Sequence, residues 1–325
     1  MSIYAAHIAN ILYENPKWLP PLRQALEAQG FEVRLHHLNN GTINPNAAPD
    51  PGLWINRISP SSHTRGNLGT VALGREALFW LEAHGRRVLN GLNAFELEVS
   101  KLRQDLILAR YGIKRPRTIL GRGKSNLLDA ASSFEGRFIT KHNQGGKGLG
   151  IQLFDSASAL ETYLNSDEFD PGPDGKVILQ QYIEAKEPRI TRVEIVGGQM
   201  ILAMYSSTEG GFELCPSDVC QAEKVMAEVC PAEGAATFSQ APLSEDDPLV
   251  QQYLALCAGE GIDLAGIEFI ESIDGERYTY DINGTTNYNQ VLGEAVGING
   301  MAEVAAYAAG VSGLAKRNEM RRLAG

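Results

Sequence analysis

The sequence predicts a mixed α/β protein built from several small sheets. Three observations carry that prediction. Short strands and helices alternate through the first 95 residues. Around residues 138–154 a strand runs into a glycine-rich loop and then into another strand. Near the end, Gly266-Ile267-Glu268-Phe269-Ile270 and Tyr278-Thr279-Tyr280-Asp281-Ile282-Asn283 read at period two as a pair of strands. The chain has 325 residues, 43% hydrophobic and 21% charged, enough for two or three subdomains with real cores and ordinary for a globular protein. Its net charge of −10 argues against a general nucleic-acid or anionic-membrane surface, while leaving room for a local basic pocket. No apolar run is long enough for a membrane helix, and the first residues carry no signal-peptide pattern, so a cytoplasmic protein is expected.

In the first segment, residues 8–12, 33–38 and 53–58 read as strands and residues 22–29 and 73–84 as helices, with Gly30 as a helix stop. That alternation suggests a parallel sheet. Residues 39–52, rich in Asn, Pro and Gly, read as a loop. Arg57 and Arg65 flank Ile58-Ser59-Pro60-Ser61-Ser62-His63-Thr64, a loop after a strand that could grip a substrate carboxylate or simply form surface salt bridges.

A helix is expected near residues 101–111. Phe138-Ile139-Thr140-Lys141 then forms a strand that leads into Gln144-Gly145-Gly146-Lys147-Gly148-Leu149-Gly150. A strand, not a helix, follows this loop, which excludes both a Walker loop and a dinucleotide fingerprint. Its backbone N–H groups suit phosphate oxygens, and Lys141 could place a point charge on one. Residues 167–175 are a turn-rich link. Val177-Ile178-Leu179-Gln180-Gln181-Tyr182-Ile183 is an apolar strand with an edge able to pair with an adenine ring. Residues 192–205 read as strand, Gly-Gly turn and strand, with Arg192 and Glu194 on one face, suited to a phosphoryl group or to a salt-bridged sheet surface.

A helix is expected at Pro248–Glu260, and residues 300–314 read as small-residue helical packing. Between them lies the hairpin of the first paragraph, with Ser272-Ile273-Asp274-Gly275-Glu276 as its turn. Asp281 and Asn283, two residues apart, share one strand face, and pairing brings Glu268 beside them. Three oxygen donors gathered this way suit a hard divalent cation, foremost Mg2+, with Mn2+ as the alternative. Asn283-Gly284-Thr285-Thr286-Asn287-Tyr288-Asn289 follows and could contact phosphate or an acceptor, or be a plain polar turn.

Taken in order, the strand-end Lys, glycine flap, adenine strand, Arg strand and Glu…Asp-x-Asn hairpin resemble the ATP-grasp superfamily, and within it the RimK-type ligases. The resemblance also takes in Trp54-Ile55-Asn56-Arg57-Ile58, Ser100-Lys101-Leu102-Arg103 and Tyr111-Gly112-Ile113-Lys114-Arg115-Pro116. It implies an N-terminal Rossmann-like pre-ATP-grasp domain at residues 1–95. Two α+β subdomains would clamp ATP, 96–175 carrying the flap and 176–325 the metal site. It also implies an ATP-dependent ligase joining a carboxylate to an amine through an acyl phosphate. Lys101 and Lys141 would hold nucleotide phosphates, and Gly145, Gly146 and Gly148 would cover them. Gln181, Tyr182 and Ile183 would meet adenine, with Glu184 near the ribose. Arg192 would serve at the γ-phosphate, Glu268, Asp281 and Asn283 would hold Mg2+, and Arg57, Arg65 and Asn287 would meet substrate.

The sequence departs from that pattern in two places. Ile190 stands where RimK-type ligases have an acid, so Glu184 or Glu187 could substitute. Tyr205-Ser206-Ser207 and Phe212-Glu213-Leu214-Cys215 stand where they carry basic residues, so glutamate is not carried over as the added amino acid. Cys215, Cys220, Cys230 and Cys257 lack a zinc spacing and are expected to be reduced thiols. The expected substrates are small-molecule or peptide carboxylates and amines. A ligase acting on a larger polypeptide and a non-catalytic ATP-binding protein are the alternatives, and the sequence leaves open a monomer or a homo-oligomer.

Overall fold

The computed structural model describes residues 7–146, 148, 150–208 and 238–314, which form three sheets. The first contains β1 (Ile8–Tyr13), β2 (Glu32–His37), β3 (Leu53–Arg57) and β4 (Val88–Leu89), all parallel, in the order β2-β1-β3-β4. Parallel neighbours need long crossovers. Helix α1 (Leu19–Ala28) supplies the one from β1 to β2, and α2 (Thr70–Ala83) the one from β3 to β4. Leu19, Leu22 and Leu26 recur along one stripe of α1 and pack on Ala9 and Ile11 of β1. On the other side, Leu78 and Leu81 of α2 cover Trp54 and Ile58. The parallel sheet expected from the alternating pattern is therefore present.

Helices α3 (Leu92–Glu98) and α4 (Lys101–Arg110) follow, and the Ser100 hydroxyl caps α4 by accepting the Arg103 N–H. The second sheet contains β5 (Thr118–Gly121), β6 (Phe138–His142), β7 (Gln152–Phe154) and β8 (Val177–Gln181), antiparallel in the order β5-β8-β6-β7. Helices α5 (Lys124–Ala131) and α6 (Ala157–Leu164) bury Leu127, Leu160 and Leu164 against Phe138, Val177 and Leu179. Strand β8 lies beyond the division expected at 175/176, yet it bonds to both β5 and β6 of the second sheet. The turn-rich residues before it return the chain to its own sheet, where Val177 and Leu179 are buried.

The third sheet is antiparallel in the order β11-β10-β9-β12-β13. Its strands are β9 (Arg189–Val196), β10 (Gln199–Ser207), β11 (Phe238–Gln240), β12 (Leu264–Glu271) and β13 (Arg277–Asn283). Gly197 and Gly198 both adopt positive φ, 58° and 81°, the conformation that a two-residue hairpin turn between β9 and β10 requires. Helix α7 (Pro248–Glu260) sets Tyr253, Leu256 and Cys257 against Val193, Ile195 and Ile267. One face of this sheet is thus apolar core, and the opposite face of the same strands is polar. Burial pushes the Cys257 thiol up to about 12, which keeps it protonated. The other three cysteines lie outside the described residues, as do Lys147 and Leu149 of the glycine loop.

The last helices are α8 (Gln290–Val296) and α9 (Gly300–Ser312). Met301, Val304, Ala305, Ala308 and Ala309 of α9 share one core with Leu22 and Leu26 of α1. The final helix therefore completes the first unit rather than the third, because its alanine stripe matches the apolar face of α1. Among the described residues no helix is long and apolar enough to cross a membrane.

One buried side chain ties the first sheet to the third. Asn90 follows β4 with φ 52°, a left-handed conformation that Asn tolerates better than most residues. Its Oδ1 accepts the N–H groups of Asp263 and Leu264 at 2.9 and 3.0 Å. Its Nδ2 donates to the carbonyls of Leu264 and Gly284 at 2.8 and 2.9 Å. Asn90→Ala strands these backbone groups away from water. We expect a loss of about 3 kcal/mol in denaturant unfolding; a loss below about 1 kcal/mol would show that the clamp is dispensable.

Candidate active site

A cavity of about 350 Å3 opens where the three sheets meet. In the first sheet the chain leaves β1 for neighbours on opposite sides, and crevices form beyond the strand ends at such a switch point. Ser59, Pro60 and Ser61, just past β3, line the cavity there. The second sheet contributes Lys141 and the glycine loop, and the third contributes its polar face.

On that polar face the expected hairpin forms. Gly266 lies opposite Asn283 and Glu268 opposite Asp281, after which the register shifts so that Phe269 pairs with Thr279. The bulge leaves Tyr280 as the extra residue. It lets Asp281 face the cavity while Thr279 turns to the core, where its hydroxyl meets Tyr253 at 2.6 Å. The Tyr280 hydroxyl donates back to Glu268 Oε2 at 3.0 Å. Glu268, Asp281 and Asn283 all line the cavity. Asn283 Nδ2 lies 3.4 Å from Asp281 Oδ2.

Arg192 stands at the centre of the floor. Its Nη1 donates to Glu268 Oε1 at 2.6 Å, its Nε to Glu194 Oε1 at 3.3 Å, and its Nη2 to Thr286 Oγ1 at 2.8 Å. The guanidinium crosses Gly266, where an added Cβ would sit 2.0 Å from Nη2. Only glycine leaves room there, which gives the Gly-Ile-Glu run its first residue. Burial disfavours charge on Arg192, but Glu268 and Glu194 more than offset it and hold the guanidinium protonated.

Two lysines face the arginine. Lys101, at the first turn of α4, forms an ion pair with Asp281. Lys141 is buried, with Nζ 3.4 Å from the Tyr280 carbonyl and 5.7 Å from the centre of that ring. Burial, helped by the nearby Lys101 charge, pushes Lys141 down to about 7. Burial opposes ionisation of Asp281, yet Lys101 and Lys141 hold it below the usual carboxylate range. Basic and acidic groups are thus interleaved, so no single charge is buried alone.

Gly145, Gly146 and Gly148 line the cavity, and Gly145 rests on the His142 side chain. Gln181, Tyr182 and Ile183 line it from the end of β8. The N–H groups of Gln181 and Tyr182 already bond to the carbonyls of Arg117 and Arg137, at 2.8 and 3.0 Å. That pairing corrects the expectation that this whole edge offers its donors to a base.

Three further expectations are corrected. Glu184 is exposed and pairs with Arg137 at 3.2 Å, outside the cavity, although its neighbours Ile183 and Ala185 both line it. Arg57 lies behind the wall. It donates to the Thr286 carbonyl at 2.7 Å and to the Asn287 side chain, so it props up the loop that does reach the cavity. Arg65 pairs with buried Glu14 and stacks 4.7 Å over Trp18. Asn287 itself lines the cavity. Glu187 is exposed and bonded to Arg189. On β10, Ser206 pairs with Ile190 and is buried, and it does not line the cavity. Phe212 to Cys215 lie outside the described residues.

Sequence reasoning missed Glu98, Tyr280 and Tyr288 as wall residues. Glu98 accepts the Thr285 N–H at 2.8 Å and its hydroxyl at 2.9 Å, and burial pushes its carboxyl up to about 7. Tyr288 adopts φ 54°, rare for a bulky residue, with its ring against Gly300. The one signal for Tyr280 was its place inside the hairpin, Tyr288 stood only within a polar run, and nothing local marked Glu98.

Among the described residues no three His, Cys, Asp or Glu side chains cluster as a metal site. Glu268, Asp281 and Asn283 instead present two carboxylates and an amide on one face, a set that suits a hard cation with water completing its shell.

The fold matches known proteins. A model of the RimK-like ATP-grasp domain matches residues 99–225, a stretch that spans Lys101, the glycine loop, β8 and Arg192. Over those residues the chain carries a RimK-like ATP-grasp domain. A probable alpha-L-glutamate ligase of Vibrio vulnificus (strain YJ016) is 27% identical over 202 residues, 58% of this chain and 64% of that protein. The chain spans between 45% and 64% of the length of the first curated relatives it matches. Among solved structures, a RimK domain ATP-grasp protein from Sphaerobacter thermophilus DSM 20745 superposes with a TM-score of 0.65 at 16% identity. That match covers 93% of this chain and 99% of the other. D-alanyl-alanine synthetase A from Vibrio cholerae O1 biovar eltor gives 0.67 at 15% identity, covering 94% and 98%. At such identity these likenesses establish the ATP-grasp fold.

Proposed function

We propose that this chain is an ATP-dependent ligase that joins a carboxylate to an amine through an acyl phosphate. One observation carries the reading. Lys101, Lys141 and Arg192 converge with Glu268, Asp281 and Asn283 on a single cavity roofed by the glycine loop. Two anions, a carboxylate and ATP, must meet, and interleaved positive charge offsets their repulsion. The names of the Vibrio relatives, a glutamate ligase and a D-alanyl-alanine synthetase, support amide formation of this kind.

Glu268, Asp281 and Asn283 would hold Mg2+, which supplies charge neutralisation on the phosphates. Lys101 and Lys141 bind phosphate oxygens as point charges. A purine lies against Gln181 to Ile183. Arg192 reaches the transferring phosphoryl group with its planar fork and keeps it oriented. The substrate carboxylate attacks the γ-phosphorus, ADP leaves, and the amine then displaces phosphate from the acyl carbon. The glycine loop excludes water from the acyl phosphate.

ADP release measured across amino acids, peptides and small amines tests the reading; no release with any pair would remove it. Mass analysis of a candidate polypeptide separates a protein-modifying ligase from one acting on small molecules. Lys141→Ala is expected to weaken ATP binding about tenfold, since a charged hydrogen bond contributes about 1.5 kcal/mol or more. An unchanged Kd in nucleotide titration would exclude Lys141 from the phosphate site.

A further inference from the structure

We propose that Glu194 forms the acceptor subsite of this cavity and binds the ammonium group of the incoming amine through its Oε2. The inference rests on the ligase reading above. Glu194 is 1% exposed, yet it lines the cavity. Its Oε1 meets Arg192 Nε at 3.3 Å, while its Oε2 is buried with no hydrogen-bond partner among the described residues. Buried carboxylate oxygens are almost always bonded.

Arg192 does not remove the deficit. Its shortest contact, 2.6 Å, goes to Glu268, and its third donor goes to Thr286. One guanidinium therefore faces two carboxylates, and none of its donors reaches Glu194 Oε2. A primary ammonium ion supplies up to three donors to such an oxygen. The groups facing Glu194 are Arg192, Glu268 and Tyr288. The Tyr288 hydroxyl sits 3.5 Å from the Ile195 carbonyl.

The ammonium gives one proton to Oε2. The neutral amine forms the C–N bond to the acyl carbon. The C–O bond to phosphate breaks, and phosphate leaves with the electron pair and the second N–H proton.

Hydroxylamine separates this subsite from the rest of the site. It is neutral at neutral pH and traps acyl phosphates as hydroxamates without an ammonium subsite. Glu194→Gln in the whole chain keeps an acceptor for Arg192 Nε. With a panel of carboxylates, we expect Glu194→Gln to lose far less hydroxamate formation than amide formation. Its KM for amino acid and alkylamine acceptors should rise about 10–100-fold. Glu194→Asp, which restores the charge, should recover part of that loss, and decides the matter alone if the Gln variant does not fold. An unchanged acceptor KM would overturn the proposal. So would an equal fall in hydroxamate and amide formation, since Glu194 would then act only through Arg192. A wild-type protein that makes no hydroxamate and releases no ADP would remove the ligase reading itself, and this subsite with it.

Discussion

Asp281→Asn is expected to abolish Mg2+-dependent ADP release while leaving the fold intact. The substitution keeps the shape of a side chain that lies directly across from Glu268 and beside Asn283. It removes the charge that both a divalent cation and Lys101 require. Loss of about 3 kcal/mol of charge stabilisation corresponds to about a 100-fold fall in turnover. Stability should change far less, because Asn still accepts from Lys101 and the strand pairing is backbone. The measurement is ADP release against Mg2+ concentration at saturating substrates, with a thermal melt alongside. Turnover equal to wild type across that titration would remove Asp281 from the metal set.

Arg192→Ala should be the most destabilising change in the floor of the site. It leaves Glu194 and Glu268 facing each other across the cavity that the guanidinium filled, both of them buried. Breaking a buried ion pair by removing one partner costs about 3–5 kcal/mol, most of it the desolvated charge left behind. The double variant Arg192→Ala with Glu194→Gln should therefore lose less than the two single losses added, by about 1–2 kcal/mol. Denaturant unfolding of the four proteins measures this coupling. Additive losses would mean that Glu194 does not feel the arginine. Arg192→Lys should fold better than the alanine variant, since it keeps the charge, but one ammonium cannot reach Glu268, Glu194 and Thr286 together. Its turnover should stay low.

The parts of the site that were legible in the sequence share a cause. Period two places Asp281 and Asn283 on one face whatever surrounds them, and a short turn after Glu271 forces Glu268 back toward them. The same local rule sets Arg192 and Glu194 side by side. Lys141 and the glycines that follow it were readable because a strand end and a loop composition are chain-local properties. Residues named only from strand-end or loop position fared differently. Arg57, Arg65 and Glu184 each have long, flexible side chains, and each found a partner closer than the cavity. Glu98 could not be placed at all, since it reaches the wall through a contact nearly 200 residues away, and Tyr288 was marked only as part of a polar run, its left-handed backbone unforeseen. The extra residue at Tyr280 was equally hidden, because a bulge is a property of two strands and not of one.

Periodicity and turn chemistry alone determined that this chain is α/β, that its acids and amide gather on a hairpin, and that a glycine loop follows a lysine-ended strand. Tertiary structure decided which sheet each strand joined, as when β8 slid between β5 and β6 and α9 closed over α1. It also decided that Arg192 serves two carboxylates and satisfies only one of them fully. The reason is physical. Backbone geometry repeats every few residues and is written locally, whereas charge balance and burial depend on neighbours that only the folded chain brings within a few ångströms.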